Sequence, residues 1–215
     1  FKRAWQRAFE NDRKRGRPLA PPRKQVEMVS QPDEIPQAID GFDALPDRSS
    51  LWSAGEAIAR KKLAVFIRSR IKSYKDDRDR PAIDGTSTLS PYLASGVISL
   101  RQCLAAAIDS SEDYLDPASV GAGQWISELI WREFYKHILV GFPRVCMHQA
   151  FQLATEQLQW NDDDEHFQAW CEGMTGYPII DAAMRQLVQT GWMHNRLRMI
   201  TAMFLSKNLF IDWRR

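Results

Sequence analysis

The chain has 215 residues, of which 44% are hydrophobic and 26% are charged, and this composition excludes disordered and fibrous proteins. Its purely apolar stretches, such as Leu63 to Ile67, are far too short to cross a membrane, and its three cysteines lack C-x-x-C spacing. The sequence therefore predicts a soluble protein with a packed core, reduced cysteines and no metal site.

Basic residues are unevenly distributed, although 29 basic and 27 acidic residues give a net charge of only +2. Residues 1–25 hold nine Lys or Arg and two acids, and residues 60–80 hold nine and three. Such segments fit contact with a polyanion, and they also fit solvated helix faces, the commoner reason for a run of charges. No secretory signal opens the chain, and its first residues are typical of the interior of a longer protein.

Hydrophobic residues recur at helical spacing along most of the chain, and no stretch alternates as a strand does. A short helix is expected through Phe9, and prolines then make residues 18–50 a linker or a surface loop. A long amphipathic helix is expected to reach Tyr74. The loop that follows, residues 75–98, contains one short helix that Ser90 would cap.

Five further helices are expected in the second half of the chain. Their predicted bounds are a start at Ser99, about Ser119 to Val140, a start at Asn161 or Asp162, Pro178 to a stop at Gly191, and about Met193 to Ile211. The fold class predicted from this pattern is all-α.

The helix around Trp131 carries a mixed face opposite its aliphatic one. Trp125, Glu128, Arg132 and Tyr135 lie at i, i+3, i+7 and i+10, with Trp131 beside them. Aromatic rings next to a carboxylate and a guanidinium suit a planar polar ligand. The alternative is an ordinary amphipathic helix on which Glu128 and Arg132 form an exposed i, i+4 pair.

The last predicted helix repeats this mixture. Trp192, Asn195, Arg198 and Met199 share a stripe, with Arg196 one residue around the helix. An amide, a guanidinium and a thioether beside an indole suit the recognition of a flat heterocycle. The same residues would also fit the cap of a buried helix end.

Residues 84–96 concentrate hydroxyl groups before the short helix. Thr86, Ser87, Thr88 and Ser90 lie where a helix dipole would favour an anion such as a pyrophosphate. The chain has no G-x-G-x-x-G after a strand, so a Rossmann dinucleotide site is not expected.

Five sequence segments stand out by their order and spacing: GTSTLSPYLASG (85–96), WISELIWREFYKH (125–137), TGYPIIDAAMRQL (175–187), GWMHNRLRMI (191–200) and FIDWR (210–214). Together they resemble the DNA photolyase/cryptochrome family, and most closely the bacterial class I photolyases of cyclobutane pyrimidine dimers. The resemblance implies that residues 51–215 are the N-terminal part of an all-α FAD- and DNA-binding domain, incomplete at its C-terminal side. Residues 1–50 would be an interdomain linker.

The resemblance also assigns site residues. The implied FAD contacts are Tyr74, Thr86, Ser87, Thr88, Leu89, Ser90, Trp125, Glu128, Arg132, Trp192, Asn195 and Arg198. The implied contacts to DNA and the dimer are Arg78, Glu128, Trp131, Tyr135, Asn195, Arg196 and Met199. Glu128 is the implied catalytic carboxyl group, and Trp160 and Trp213 match the outer and middle tryptophans of the relay that photoreduces the flavin.

The implied activity is light-driven repair. Excited reduced FAD gives one electron to the dimer, the cyclobutane ring splits, and the electron returns. The enzyme would be a deoxyribodipyrimidine photo-lyase, a carbon–carbon lyase that acts on UV-damaged DNA as a monomer in the bacterial cytoplasm, with no membrane partner. A crosslinked pyrimidine pair is poorly stacked, so it flips out of the duplex at lower cost than normal bases.

The resemblance implies that two segments found in proteins of this family are not in this chain. One is the N-terminal domain with its antenna chromophore, of folate or deazaflavin type, and the other is a C-terminal segment that completes the FAD cavity. Met147 stands where folate-type members often carry a lysine. The isolated chain is therefore expected to bind FAD weakly or not at all. Two alternatives are a cryptochrome-like photoreceptor and a flavin-free DNA-binding fragment; the combination of Glu128, Trp131 and Met199 favours dimer repair.

Overall fold

The computed structural model describes residues 1–11, 17–20, 40, 51–110 and 121–215. Its helices are α1 (Lys2–Asn11), α2 (Glu56–Ser69), α3 (Tyr74–Asp77), α4 (Ser90–Ala94), α5 (Leu100–Asp109), α6 (Gly121–Gly141), α7 (Asp164–Glu172), α8 (Pro178–Thr190) and α9 (Asn195–Met203). Two 3₁₀ helices, Pro143–Met147 and Leu153–Gln157, lie between α6 and α7, and a π turn, Phe204–Asn208, follows α9.

The described residues contain no strand, only an isolated parallel bridge between Asn161 and Ile211, so the all-α prediction is confirmed. In these same ranges no helix is both long and apolar enough to cross a membrane. The predicted linker, residues 18–50, lies largely outside the described residues, and its role remains a prediction.

The larger hydrophobic core lies among α2, α3, α4, α5 and α6. Phe66 of α2 is fully buried at its centre, with ring centroids 5.6 Å from Tyr74 and 4.9 Å from Trp125. A smaller core joins α8 and α9 to the π turn through Ile180, Met184, Met193, Leu197 and Phe204. Both cores use the apolar stripe that each helix presents at 3.6-residue spacing.

Local sequence signals place several helix ends correctly. Ser99 caps α5 in a capping box, in which its hydroxyl accepts from the Gln102 N–H while the Gln102 side chain accepts from the Ser99 N–H. Helix α8 begins at Pro178 and is followed by Gly191 at φ 70°, as predicted.

Other predicted bounds are wrong. The helix expected to reach Tyr74 stops at Ser69, and α3 restarts the chain as a separate short helix. Ser90 does not cap α4, because it is already the first helical residue and Leu89 stands at the N-cap without a side-chain hydrogen bond. Helix α7 begins later than expected, since the Asp163 side chain accepts from the His166 N–H and so sets the start at Asp164.

The last predicted helix also ends early. It was expected to run to Ile211, but α9 stops at Met203 and continues only as the π turn. Phe210 then adopts φ 56°, which no α-helical residue does, and its carbonyl accepts the Asn161 N–H at 2.8 Å. This tertiary contact ends the helix.

Candidate functional site

The mixed face of α6 divides along the helix. Trp125 is 3% exposed and packs in the core against Phe66, whereas Trp131 is 50% and Tyr135 61% exposed. The ring of Trp131 leans on Phe134 at 5.3 Å, so the indole is supported from one side. The solvent end of this face is therefore an aromatic wall, and its inner end is core.

Glu128 and Arg132 do not form the exposed pair that was the alternative interpretation. Glu128 instead accepts from Arg78 and, at 3.0 Å, from the Gln124 amide. Arg132 turns toward α4, where it donates to the Leu93 carbonyl oxygen at 3.0 Å. Both side chains thus fasten α6 to its neighbours, and the surface-pair interpretation is wrong.

A charged cluster of Arg78, Asp79, Glu128 and Arg196 joins three helices. Arg78, directly after α3, pairs with Glu128 of α6 and donates through Nε to Asp79 Oδ1 at 3.3 Å. Arg196, in the first turn of α9, donates through Nε to the same oxygen at 2.6 Å. The hydrogen bond from Arg196 is the main reason that the pKa of Asp79 lies below its usual range.

Tyr74 lies beneath this cluster. The Arg78 guanidinium lies 5.8 Å from its ring centroid. Burial, followed by the negative charge of Glu128, raises the pKa of Tyr74 to about 12, so the phenol stays neutral at physiological pH.

The stripe on α9 faces the same side of the molecule. The Met199 sulfur lies 3.8 Å from Arg196 Nη1 and 4.0 Å from the Asn195 amide nitrogen. The Met199 side chain is 48% exposed. Contacts therefore run from Glu128 through the charged cluster to Met199 and Asn195. The two predicted faces, which are far apart in sequence, form one surface.

The two remaining predicted residues of this stripe, Arg198 and Trp192, contact the segment just before α9. Arg198 donates from Nε to the Met193 carbonyl at 3.2 Å, and the half-buried Trp192 ring meets the His194 ring edge-on at 6.3 Å. His194 caps α9, since its Nδ1 accepts from the Arg196 N–H at 3.2 Å, and burial lowers its pKa. The cap predicted for this segment is therefore present, and the contact of its residues with a ligand stays a prediction.

The hydroxyl-rich loop is held against α3 and the end of α2. Arg70 donates to the Asp84 carboxylate at 2.5 Å and to the Thr86 carbonyl at 3.2 Å. A Cβ on Gly85 would lie 2.6 Å from the Asp77 Cβ, so only glycine permits this approach. Thr88 adopts φ 50°, and Leu89 is fully buried and anchors the loop.

The site residues fit FAD in their chemistry. The half-buried side-chain hydroxyls of Thr86, Ser87 and Thr88 make no hydrogen bond to any residue in the described ranges, so they remain available to phosphate or ribityl oxygens. Among the described residues, the Asn195 amide makes only a weak contact with the Met199 thioether, so it keeps its capacity to donate and accept hydrogen bonds. Trp125 and Leu89, by contrast, are buried in the core, and their assignment to FAD stays a prediction.

The predicted relay tryptophans lie on either side of the bridge between Asn161 and Ile211. Trp160 is half-buried, with its ring 5.0 Å from Phe210, and its buried Nε1 has no hydrogen-bond partner in the described part of the chain. Trp213 is 45% exposed and lies under the Arg214 guanidinium at 5.7 Å. Their order in a relay stays a prediction.

Sequence reasoning missed two acidic residues. Asp79 looked like part of a solvated charge run, and only the approach of the segment after α3 to the first turn of α9 shows that it joins two arginines. Asp181 is 8% exposed and accepts from Thr175 N–H at 2.8 Å, Thr175 Oγ1 at 2.6 Å and Gly176 N–H at 3.0 Å. The sequence shows that Asp181 follows Thr175 by six residues, but it does not show that the Asp181 carboxylate holds the turn at Thr175 and Gly176.

The acidic run Asp162 to Glu165, which the sequence pattern predicts to be the first turn of a helix, lies at the start of α7. Asp163 caps α7, and Asp164 and Asp162 pair with Arg215, whose guanidinium lies 4.4 Å from the Phe167 ring. The run fixes the start of α7 next to Trp160.

A cavity of about 200 Å³ lies elsewhere, between α1 and α6. Lys2 of α1 donates to Ser127 Oγ there at 3.1 Å, and Trp5 and Phe9 form its apolar side. None of the predicted cofactor or DNA residues lines it, so the candidate site is the open α6–α9 surface and not this cavity.

Comparison with known proteins gives a consistent picture. Residues 125–215 match the FAD binding domain of DNA photolyase. The deoxyribodipyrimidine photo-lyase of Vibrio cholerae is 48% identical over 218 residues, which cover 100% of this chain and 45% of that protein. The Escherichia coli protein of the same name is 52% identical over 160 residues, covering 74% of this chain and 33% of its own length.

Solved structures share the fold. A bacterial class III photolyase from Agrobacterium tumefaciens superposes with a TM-score of 0.73 at 43% identity, covering 80% of this chain and 36% of that one. A Synechocystis cryptochrome gives a TM-score of 0.72 at 27% identity, covering 100% and 45%. The chain spans less than half the length of these relatives, and its assignment to class I stays a prediction.

Proposed function

Since the chain belongs to the DNA photolyase/cryptochrome family through its FAD-binding domain, we propose that the full-length protein repairs cyclobutane pyrimidine dimers in DNA with light. It would act as a monomeric deoxyribodipyrimidine photo-lyase in the bacterial cytoplasm. The observation that carries the proposal is the continuous surface from Trp131 through the charged cluster to Met199. An aromatic wall, a carboxylate and two guanidiniums are the groups that a flipped-out base and its flanking phosphates require.

The residues divide the work of recognition. Trp131, half-exposed and supported by Phe134, offers a face for stacking on the flipped dimer. Glu128, held by Arg78 and Gln124, keeps its carboxylate in one orientation and can accept a hydrogen bond from a base N–H. Arg196 reaches the edge of this surface, where it would contact phosphates in a salt-dependent manner.

Bound FAD supplies the electron that light transfers to the dimer. We place its phosphate and ribityl groups at the unpaired hydroxyls of Thr86, Ser87 and Thr88, and its ring system toward Asn195. Trp160 and Trp213 are proposed to carry electrons between the surface and this site as the outer and middle members of a relay, whose innermost tryptophan is not in this chain. The antenna, of folate or deazaflavin type, is proposed to lie on another part of the full-length protein.

The decisive experiment is a light-dependent repair assay on the full-length protein. Oligonucleotides with a cyclobutane dimer or a (6-4) photoproduct are compared for wild type, Trp131→Ala and the matched Trp131→Phe, which keeps a stacking face. Loss of one stacked base costs about 1–3 kcal/mol, so Trp131→Ala should bind the damaged oligonucleotide about 5- to 150-fold more weakly, with Trp131→Phe close to wild type.

Two results would contradict the proposal. Flavin photoreduction without repair of either lesion would point to a cryptochrome-like photoreceptor, and salt-sensitive DNA binding with no flavin spectrum would point to a flavin-free binding fragment. Separately, the isolated 215-residue chain is purified with excess FAD; we expect little flavin to remain, and stoichiometric retention would show that expectation to be wrong.

A further inference from the structure

Asp79 is an acidic residue at the centre of a surface for which we have proposed contact with DNA. One of its oxygens, Oδ1, accepts from Arg196 Nε at 2.6 Å and from Arg78 Nε at 3.3 Å. Asp79 and Arg196 are 117 residues apart in the chain, so the contact exists only because the segment after α3 meets the first turn of α9. A carboxylate placed there repels phosphate, and its presence needs a physical reason.

Stability is not that reason. The side chains of Asp79 and Arg196 are 51% and 37% exposed, and ion pairs at such exposure contribute little to folding. The Asp79 carboxylate fixes the orientation of both guanidiniums. Because Arg78 and Arg196 each donate to it through Nε, the terminal nitrogens of each arginine point in a defined direction. Arg78 directs Nη1 at Glu128, and Arg196 directs Nη1 toward the Met199 sulfur at 3.8 Å.

The charge balance supports the same conclusion. Arg78 and Arg196 are offset within the charged cluster by Asp79 and Glu128, so its formal charge is zero. A neutral cluster has little general attraction for a polyanion. Any preference that it confers must come from where its donors point and not from net charge.

We propose that Asp79 is a positioning residue that confers preference for damaged over undamaged DNA. It holds the guanidiniums of Arg78 and Arg196 at a fixed spacing for the phosphates beside a flipped-out dimer, while its negative charge keeps the charged cluster neutral and so limits the attraction of the cluster for DNA in general. The inference deepens the function proposed above and rests on it.

The test is the ratio of two affinities, measured on the full-length protein by fluorescence anisotropy. Matched oligonucleotides with and without one cyclobutane dimer are titrated at three salt concentrations. Asp79→Asn is compared with Asp76→Asn, which removes the same charge from α3; Asp76 is exposed, and its side chain makes no ion pair with a described residue. Thermal melts of both variants show whether the fold is kept.

Asp79→Asn should bind undamaged DNA about two- to fivefold more tightly, because the cluster gains one net positive charge. Binding to the dimer should weaken, so that the preference falls about 5- to 20-fold, the effect of losing charge-assisted hydrogen bonds. Asp76→Asn should raise both affinities together and leave their ratio unchanged. Asp79→Glu keeps the charge but displaces the oxygen; it should lower the ratio without tightening binding to undamaged DNA.

An unchanged ratio in both Asp79 variants, beside a wild type that prefers the dimer, would overturn the inference and leave the proposed function intact. If Asp79→Asn melts early, Asp79→Glu alone decides. If wild type shows no preference for the dimer, the proposed function itself fails, and this inference fails with it.

Discussion

Replacing Gly121 by alanine tests how α6 is set against α3. A Cβ at Gly121, the first residue of α6, would enter the contact shell of the Ile71 carbonyl oxygen and lie 2.9 Å from both Ile71 C and Lys72 O. Ordinary contacts begin at 3.4 Å, so two backbone atoms must yield by about 0.5 Å and the carbonyl oxygen by more. A backbone carbonyl cannot rotate away as a flexible side chain would.

Overpacking of this kind typically costs about 1–3 kcal/mol, and here the upper end applies because the clash is with backbone. For a chain of this size, about 3 kcal/mol lowers the melting temperature by about 6–12 °C. Helix α6 should also withdraw from α3 and loosen the contact of Arg78 with Glu128, so dimer binding should weaken in the folded fraction.

Gly141→Ala, at the other end of α6, is the matched control. Nothing lies within 4 Å of its Cβ position, so alanine there should leave stability unchanged or raise it by up to about 1 kcal/mol. Both variants are melted by circular dichroism at the same protein concentration. Equal melting temperatures for the two variants would refute the close-approach argument.

Three further predictions concern single groups. Burial alone would raise the pKa of Asp181, but the hydrogen bonds from Thr175 and Gly176 together lower it. The contribution of Asp181 to stability is therefore present above the ordinary carboxyl pKa and is lost as the pH falls through the pKa of the folded state. In urea melts, Asp181→Asn should lose this pH dependence, and a variant whose stability changes with pH as steeply as that of wild type would contradict the prediction. Ser99→Ala, which removes the cap of α5, should cost about 0.5–2 kcal/mol in the same melts, and no change would mean that the cap is dispensable. Burial raises the pKa of Cys103 to about 11, so in a thiol-reagent assay the exposed Cys146 should react in the native protein and Cys103 only on unfolding; equal rates would place Cys103 at the surface.

The features that sequence predicts well are those with local causes. The start of α5 at Ser99 and the bounds of α8 depend on residues within one helical turn, and both are found as expected. The mixed face of α6 also follows from spacing alone, since residues three and four apart share a side.

The features that sequence misses depend on contacts between distant segments. The end of α9 is set by the hydrogen bond between Phe210 and Asn161, and the end of α2 lies where the Ile71 carbonyl meets Gly121. The partner of Glu128 is Arg78, 50 residues away, and not Arg132 one turn along. A run of charges does not show which acid pairs with which base. The pairing of Asp79 with Arg196 therefore could not be predicted before the fold brought the segment after α3 next to α9.

The bridge between Asn161 and Ile211 closes a loop that contains α7, α8 and α9. Because both ends of this loop are tied together, the segment is expected to open and close as one cooperative unit, in the manner of a foldon. Trp160 and Trp213 flank that closure, so a fluctuation that opens it would change the distance between the two indoles. Under the relay role proposed for these two tryptophans, the rate of electron transfer along them would then depend on the local opening equilibrium of the unit.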